Sequence, residues 1–314
     1  MMRLLLVFLC LAAVAAAADP PAADPPAADP GDPLYDAAKQ LFDQYAPPEV
    51  KAQYDFPSQE QFQDFATRLQ QALDGDSIDG LAQYEPEARQ ILTLLRTLPG
   101  DSDYADWLSA RLEEIDAARA IESEAKVRPS VPPAPGRPAR DQEIPYYAEW
   151  LARVRRRPPP ANAPDLMPRL RAAFAAEGVP PELAWLAEAE SSLNPSARNP
   201  SGARGLFQLK VATAQGLGLS TFLPDERTDP DKSAHAAARD LRALGRRFGS
   251  WPLAIAAYNA GEGRVSRTLA ARGAHDYAGI AAALPAGTRM YVPEVCALMA
   301  ARAGVSPDQL PAPR

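Results

Sequence analysis

Between about residues 164 and 304, apolar side chains recur at three- and four-residue spacing, broken by Gly/Pro turns and without convincing apolar/polar alternation. That period belongs to helices and not to strands. The segment is therefore predicted to be an all-α domain, and about 140 residues suffice for a core of its own. Upstream, Phe62, Phe65, Ala66, Leu69, Ala72 and Leu73 form one stripe behind a Ser58 to Gln61 capping box. Tyr104, Trp107, Leu108, Arg111, Leu112 and Ile115 form another. Both read as helix packing faces, which makes 34–125 a separate N-terminal helical module.

Proline divides these parts, with 34 in the 314-residue chain. The stretch ADPPAADPPAADPGDP cannot bury enough apolar surface to offset its ordering entropy, so 19–33 reads as a disordered tether. RPSVPPAPGRPARDQEIP and RPPPANAP flank a short helix, YYAEWLARVRRR, and mark 126–163 as a linker. The catalytic candidate is then 164–304, followed by a tail at 305–314. A chain beginning near Ala161 is expected to fold and act by itself.

Residues 1–18 have a basic Arg3, an apolar run from Leu4 to Ala17 and small residues at Ala16–Ala18, the pattern of a cleaved export signal. The apolar run of about 14 residues is short for a membrane span, and no later stretch matches it. The mature chain is expected to have no transmembrane segment and to lie in the periplasm or cell envelope. Cys10 leaves with the leader. Cys296, in the apolar VCALMAA, reads as a buried small side chain.

Charge is uneven. Residues 19–125 contain 23 acids and 7 bases, whereas 126–314 contain 17 acids and 25 bases. A basic half suits an anionic polymer, and export favours cell wall over nucleic acid. His235 and His275 read as isolated surface residues without metal-ligand spacing, so neither metal nor other cofactor is expected.

The chemistry concentrates in VPPELAWLAEAESSLNP. Prolines at its start and Asn194-Pro195 at its end predict a helix over 181–192. At about 100° per residue, Leu183, Leu186, Ala187 and Glu190 share the apolar face, whereas Glu188 falls on the other side with Ala184 and Trp185 and is expected in solvent. A carboxyl on an apolar face is desolvated and suited to act as a general acid, the requirement for cleaving a glycosidic bond. Gly202 and Gly205 in SARNPSGARGLFQ permit tight turns and close approach of a ligand. Gln208 offers an amide for sugar hydroxyls. Tyr258 and Asn259 precede a glycine-rich turn, and Tyr291 stands in LPAGTRMYVPEV.

In this order ESSLNPSARNPSGARGLFQ, DERTDP, FGSWPLAIAAYNAGEGRV and ALPAGTRMYVPEV resemble the catalytic domain of lytic transglycosylases of the soluble-lytic type, closest to the membrane-bound type D group. The resemblance covers about 164–304. It implies a lysozyme-like domain that cleaves the MurNAc-GlcNAc β-1,4 bond of peptidoglycan glycan strands and leaves 1,6-anhydro-MurNAc ends. By that resemblance Glu190 is the single catalytic acid/base, and Ser191, Gln208, Tyr258, Asn259 and Tyr291 are groove and orienting residues. Asn199 stands where the family usually has serine, with Ser201 as a substitute. The type D group often carries C-terminal wall-binding repeats, whereas only the 305–314 tail follows the domain in this sequence, so any extra wall targeting is expected from the N-terminal helices or the basic face.

Two alternatives stay open. A goose-type hydrolytic muramidase needs a second carboxylate, for which the candidates are Asp225, Glu226 and Glu262. A non-catalytic peptidoglycan-binding protein would keep the groove without turnover. Nothing in the sequence names a protein partner.

Overall fold

The computed structural model describes residues 144–198 and 202–314 continuously and, before them, only scattered positions between 43 and 120. The expected leader, tether, Ser58–Gln61 capping box, first apolar stripe apart from Ala72, and linker residues 126–143 lie outside the described residues, as do Asn199 and Ser201. Among the described residues there are helices and no strands, only isolated bridges from Arg204 to Arg198 and to Leu209. The all-α expectation holds.

Numbering helices from residue 147, α1 is Tyr147–Arg156 and α2 is Ala163–Ala176. A 3-10 turn, Pro181–Trp185, leads into the six-residue α3, Leu186–Ser191. Then come α4, Val211–Gly216, a 3-10 turn Glu226–Thr228, and α5, Pro230–Phe248. The remaining helices are α6, Trp251–Ala260, α7, Glu262–Arg272, α8, Tyr277–Ala281, and α9, Ala286–Ala303.

Local chemistry sets these ends. Asp229 caps α5 by accepting from the Asp231 and Lys232 amides at 3.0 Å, Pro230 supplies the first helical residue, and Gly249 ends the helix in the left-handed region. In α9 every residue from Met290 to Met299 is buried, so this helix is the core's axis. It packs against α1, α3, α6 and the Pro181–Trp185 turn, while α5 packs against α2 and α6.

α1 belongs to this body. Its Trp150 and Val154 are fully buried in one core cluster with Leu112, Ile115, Ala117 and Ala118 from upstream. Arg153 donates to the Asp116 carbonyl at 2.9 Å, and the Ala286 amide donates to the Gly75 carbonyl at 2.8 Å. The described upstream residues thus pack onto the 144–314 body. Residues after 304 are also engaged: Trp251 Nε1 donates to the Pro311 carbonyl at 2.7 Å.

Two histidines and a cysteine can be placed against expectation. His235 is not isolated, because its Nδ1 lies 3.0 Å from Glu177, which also receives Arg239 at 3.3 Å. His275 is exposed. Cys296 is fully buried as expected, and burial pushes its thiol pKa up. Among the described residues no helix is long and apolar enough to cross a membrane.

Candidate active site

The segment expected as one helix over 181–192 is two elements. Pro181–Trp185 winds as a tighter 3-10 turn and only Leu186–Ser191 is α-helical. α3 is buried on both sides, with Leu186, Ala187, Glu188, Ala189 and Ser191 all buried, so standing opposite Leu183 does not put a side chain in solvent. The consequence is a correction. Glu188 is not in solvent: it is 3% exposed, and its carboxylate accepts from Arg302 Nε at 3.0 Å, Arg302 Nη2 at 2.8 Å and Arg157 Nη2 at 3.0 Å.

Glu190 is half-buried on the other side of α3. The hydroxyl of Tyr291, a fully buried ring on α9, donates to Glu190 Oε1 at 2.6 Å. The short distance marks a charge-assisted bond. Tyr258, near the end of α6, donates to the Phe207 carbonyl at 2.8 Å. Burial first, and then the Glu190 charge, push both phenol pKa values far above the usual value. Both rings therefore stay protonated and act as donors.

The loop after α3 supports the carboxyl from below. Ser192 and Leu193 both take positive φ, which turns the chain sharply away once Glu190 is placed, and Gln208 does the same at φ 46°. Two such non-glycine residues directly after α3, and a third in the loop that Ser191 fastens to it, are a sign of a segment built against local preference. Ser191 Oγ lies 2.9 Å from the Leu206 carbonyl and 3.0 Å from the Ala187 carbonyl, so it fastens this loop to α3. Phe207 stacks on Phe174 of α2 with ring centres 5.6 Å apart.

Gln208 donates through Nε2 to the Gly205 carbonyl at 2.9 Å and the Ala197 carbonyl at 3.3 Å, leaving its buried Oε1 without a donor. Gly205 sits at φ 79°, and a Cβ there would stand 1.9 Å from the Arg227 carbonyl oxygen. The close approach is to the protein's own backbone. Arg227 completes the floor, donating through Nη1 to the Gly202 and Leu209 carbonyls at 2.9 and 3.1 Å. Asn259 is exposed, and its Oδ1 accepts from Thr288 at 2.8 Å, tying α6 to the start of α9.

The candidate second carboxylates are committed elsewhere. Asp225 accepts from Arg227 at 2.7 Å and Arg204 at 3.3 Å; burial works to raise its pKa, but the Arg227 hydrogen bonds and both charges hold it below the usual range. Glu226 accepts from Lys232 and from the Ser220 amide. Glu262 is exposed and 3.6 Å from Arg247. Sequence reasoning missed a fourth, Asp240 on α5, half-buried and pushed up to about 6 by burial and the Glu262 charge. Its charge, with that of Glu190, also raises the Tyr258 pKa.

Residues 170–280 match the family "Transglycosylase SLT domain". Membrane-bound lytic murein transglycosylase D of Escherichia coli (strain K12) is 37% identical over 126 residues, covering 38% of this chain and 27% of that protein. Membrane-bound lytic murein transglycosylase F of Yersinia pestis (strain Pestoides F) is 38% identical over 91 residues, covering 26% of this chain and 18% of that protein. The matched part thus spans about a quarter or less of these relatives' length. A solved complex of a 70-kDa soluble lytic transglycosylase with bulgecin A aligns over 88% of this chain and 58% of its own at 19% identity, with a TM-score of 0.42, too distant to carry an argument.

Proposed function

Residues 170–280 are a transglycosylase SLT domain, and from that premise we propose that the chain is an exported peptidoglycan lytic transglycosylase with Glu190 as its single acid/base. The observation that carries this reading is the 2.6 Å bond from Tyr291 to Glu190 Oε1. It fixes the carboxyl through one oxygen with a phenol that stays protonated.

In the proposed reaction Glu190 gives its proton to the glycosidic oxygen as the bond from C1 of MurNAc to O4 of GlcNAc breaks. The carboxylate then takes the proton of the MurNAc C6 hydroxyl while O6 closes on C1. One C–O bond breaks, one forms, the proton returns to Glu190 and no water is consumed. Tyr291 stabilises the carboxylate between these steps, when the charge on Glu190 makes its hydrogen bond strongest. The tethered C6 hydroxyl has a large effective concentration relative to water.

The groove contacts rest on the same arrangement. The exposed Asn259 amide nitrogen is offered to acetamido or hydroxyl groups of the glycan strand, while Gln208 holds the loop through the Gly205 and Ala197 carbonyls; Asn199 is proposed as a further contact from its place in the sequence motif. Tyr258 steadies the loop at Phe207. Ser191 acts through its hold on Leu206 and not on sugar.

Asp240 gives the goose-type hydrolytic reading its best support, since a half-buried carboxyl with a pKa of about 6 could serve a water. The test is turnover of purified sacculi by the wild-type chain, Glu190→Gln and Asp240→Asn. Glu190→Gln is expected to lose about 10²–10⁴-fold, the range of one general acid/base, whereas Asp240→Asn keeps activity. A large loss in Asp240→Asn would favour hydrolysis, and no turnover by the wild type would favour a binding protein.

A further inference from the structure

α3 has six residues, too few to hold itself as a helix. It is entered by a 3-10 turn and left by two positive-φ residues, so its orientation is fixed by what grips its two sides. Both grips come from α9. Tyr291 holds the half-buried Glu190 on one side, and Arg302 holds the buried Glu188 on the other with a two-pronged pair.

The interior grip is extensive. Arg302, with a side chain 7% exposed, also donates through Nη1 to the Arg157 carbonyl at 3.0 Å. Arg157 follows α1, adds the third bond to Glu188, lies 3.8 Å from Glu294 and pairs with Glu113 upstream. Burial works against the Arg157 charge, but Glu294, Glu113 and Glu188 outweigh it and raise its pKa. A buried pair of this kind is no more stabilising than well-packed apolar side chains of similar size. What apolar packing does not supply is a fixed direction, because a forked guanidinium on a carboxylate sets both distance and angle.

We propose that Glu188, clamped by Arg302 and Arg157, is a positioning residue that sets where the Glu190 carboxyl stands against Tyr291 and the groove. The proposal rests on Glu190 being the acid/base. Glu188 touches no substrate and acts through the register of α3 on α9.

The test is the double variant Glu188→Leu/Arg302→Met in the full chain. It removes both charges together, where a single change leaves one buried and bare. Thermal melting and circular dichroism report the fold. Turnover of sacculi is expected to fall by about tenfold or more with KM within about twofold, since a misplacement near 1 Å costs up to about a hundredfold. The phenol-carbon NMR signal of Tyr291, assigned by its loss in Tyr291→Phe, is expected to move.

A folded double variant with wild-type kcat and an unmoved Tyr291 signal overturns the proposal and leaves the clamp a stabilising element only. If the double variant does not fold, Arg302→Lys keeps the charge but not the fork. A lower kcat at unchanged KM in that variant supports positioning, and wild-type kcat overturns it. A moved Tyr291 signal in a chain whose wild type never cleaves sacculi supports the clamp and sinks the enzymatic reading.

Discussion

Tyr291→Phe removes one hydroxyl from a fully buried ring and nothing else, so the helix axis at α9 keeps its packing. The lost interaction is a 2.6 Å bond to an ionisable partner. Hydrogen bonds to charged groups contribute about 1.5–3 kcal/mol. The half-buried Glu190 carboxyl keeps its place in the groove but loses that donor, so the loss falls on the carboxylate formed between the two proton transfers. At about 1.4 kcal/mol per tenfold, kcat is expected to fall roughly 10- to 100-fold. KM should stay within about twofold, because binding equally in ground and transition state is not what the bond supplies. The assay is the initial rate of soluble muropeptide release from purified sacculi across substrate concentrations, with a thermal melt to confirm folding. A folded Tyr291→Phe with wild-type kcat would refute the assignment of Tyr291 as the orienting donor.

Other consequences are as direct. Gly205→Ala would drive a methyl group to 1.9 Å from the Arg227 carbonyl at a positive φ, and is expected to cost about 3 kcal/mol or more of stability, read as a lowered denaturant midpoint. For Asp240, with a folded pKa near 6 against about 4 unfolded, the folded state binds the proton more tightly. Its contribution is present below about pH 4 and lost as pH rises through about 6. Asp240→Asn should therefore melt like the wild type near pH 4 and be more stable above pH 7, by about 1–2 kcal/mol after allowing for partial exposure; equal melting at both pH values would contradict this. A chain beginning near residue 161 lacks the buried Trp150 and Val154 and the Arg157 pairs, and should lose more than about 3 kcal/mol of apolar burial. It is expected to be unfolded, whereas one beginning near residue 144 keeps α1 and melts cooperatively.

The helical class was legible because three- and four-residue apolar spacing recurs between the Gly/Pro turns of 164–304. Glu190 stood out as the candidate because the residues that mark it are contiguous, and the structure places it half-buried at the end of α3. Glu188 was not legible, for two reasons: α3 is buried on both sides, and its partners Arg157 and Arg302 lie 31 and 114 positions away. A glycine at 205 announced a close approach, but not that Arg227 makes it. α1 looked like part of a linker because proline flanks it on both sides. Trp150 in that short amphipathic helix was the available sign that it packs into a core.

The central claim is capture of C1 by the substrate's own C6 hydroxyl, and digestion of purified sacculi in water labelled with heavy oxygen tests it most directly. The account predicts muramoyl ends that are one water lighter than hydrolysed ends, carry no heavy oxygen and resist borohydride reduction. Reducible ends carrying one heavy oxygen each would contradict it and transfer the assignment to a hydrolytic muramidase.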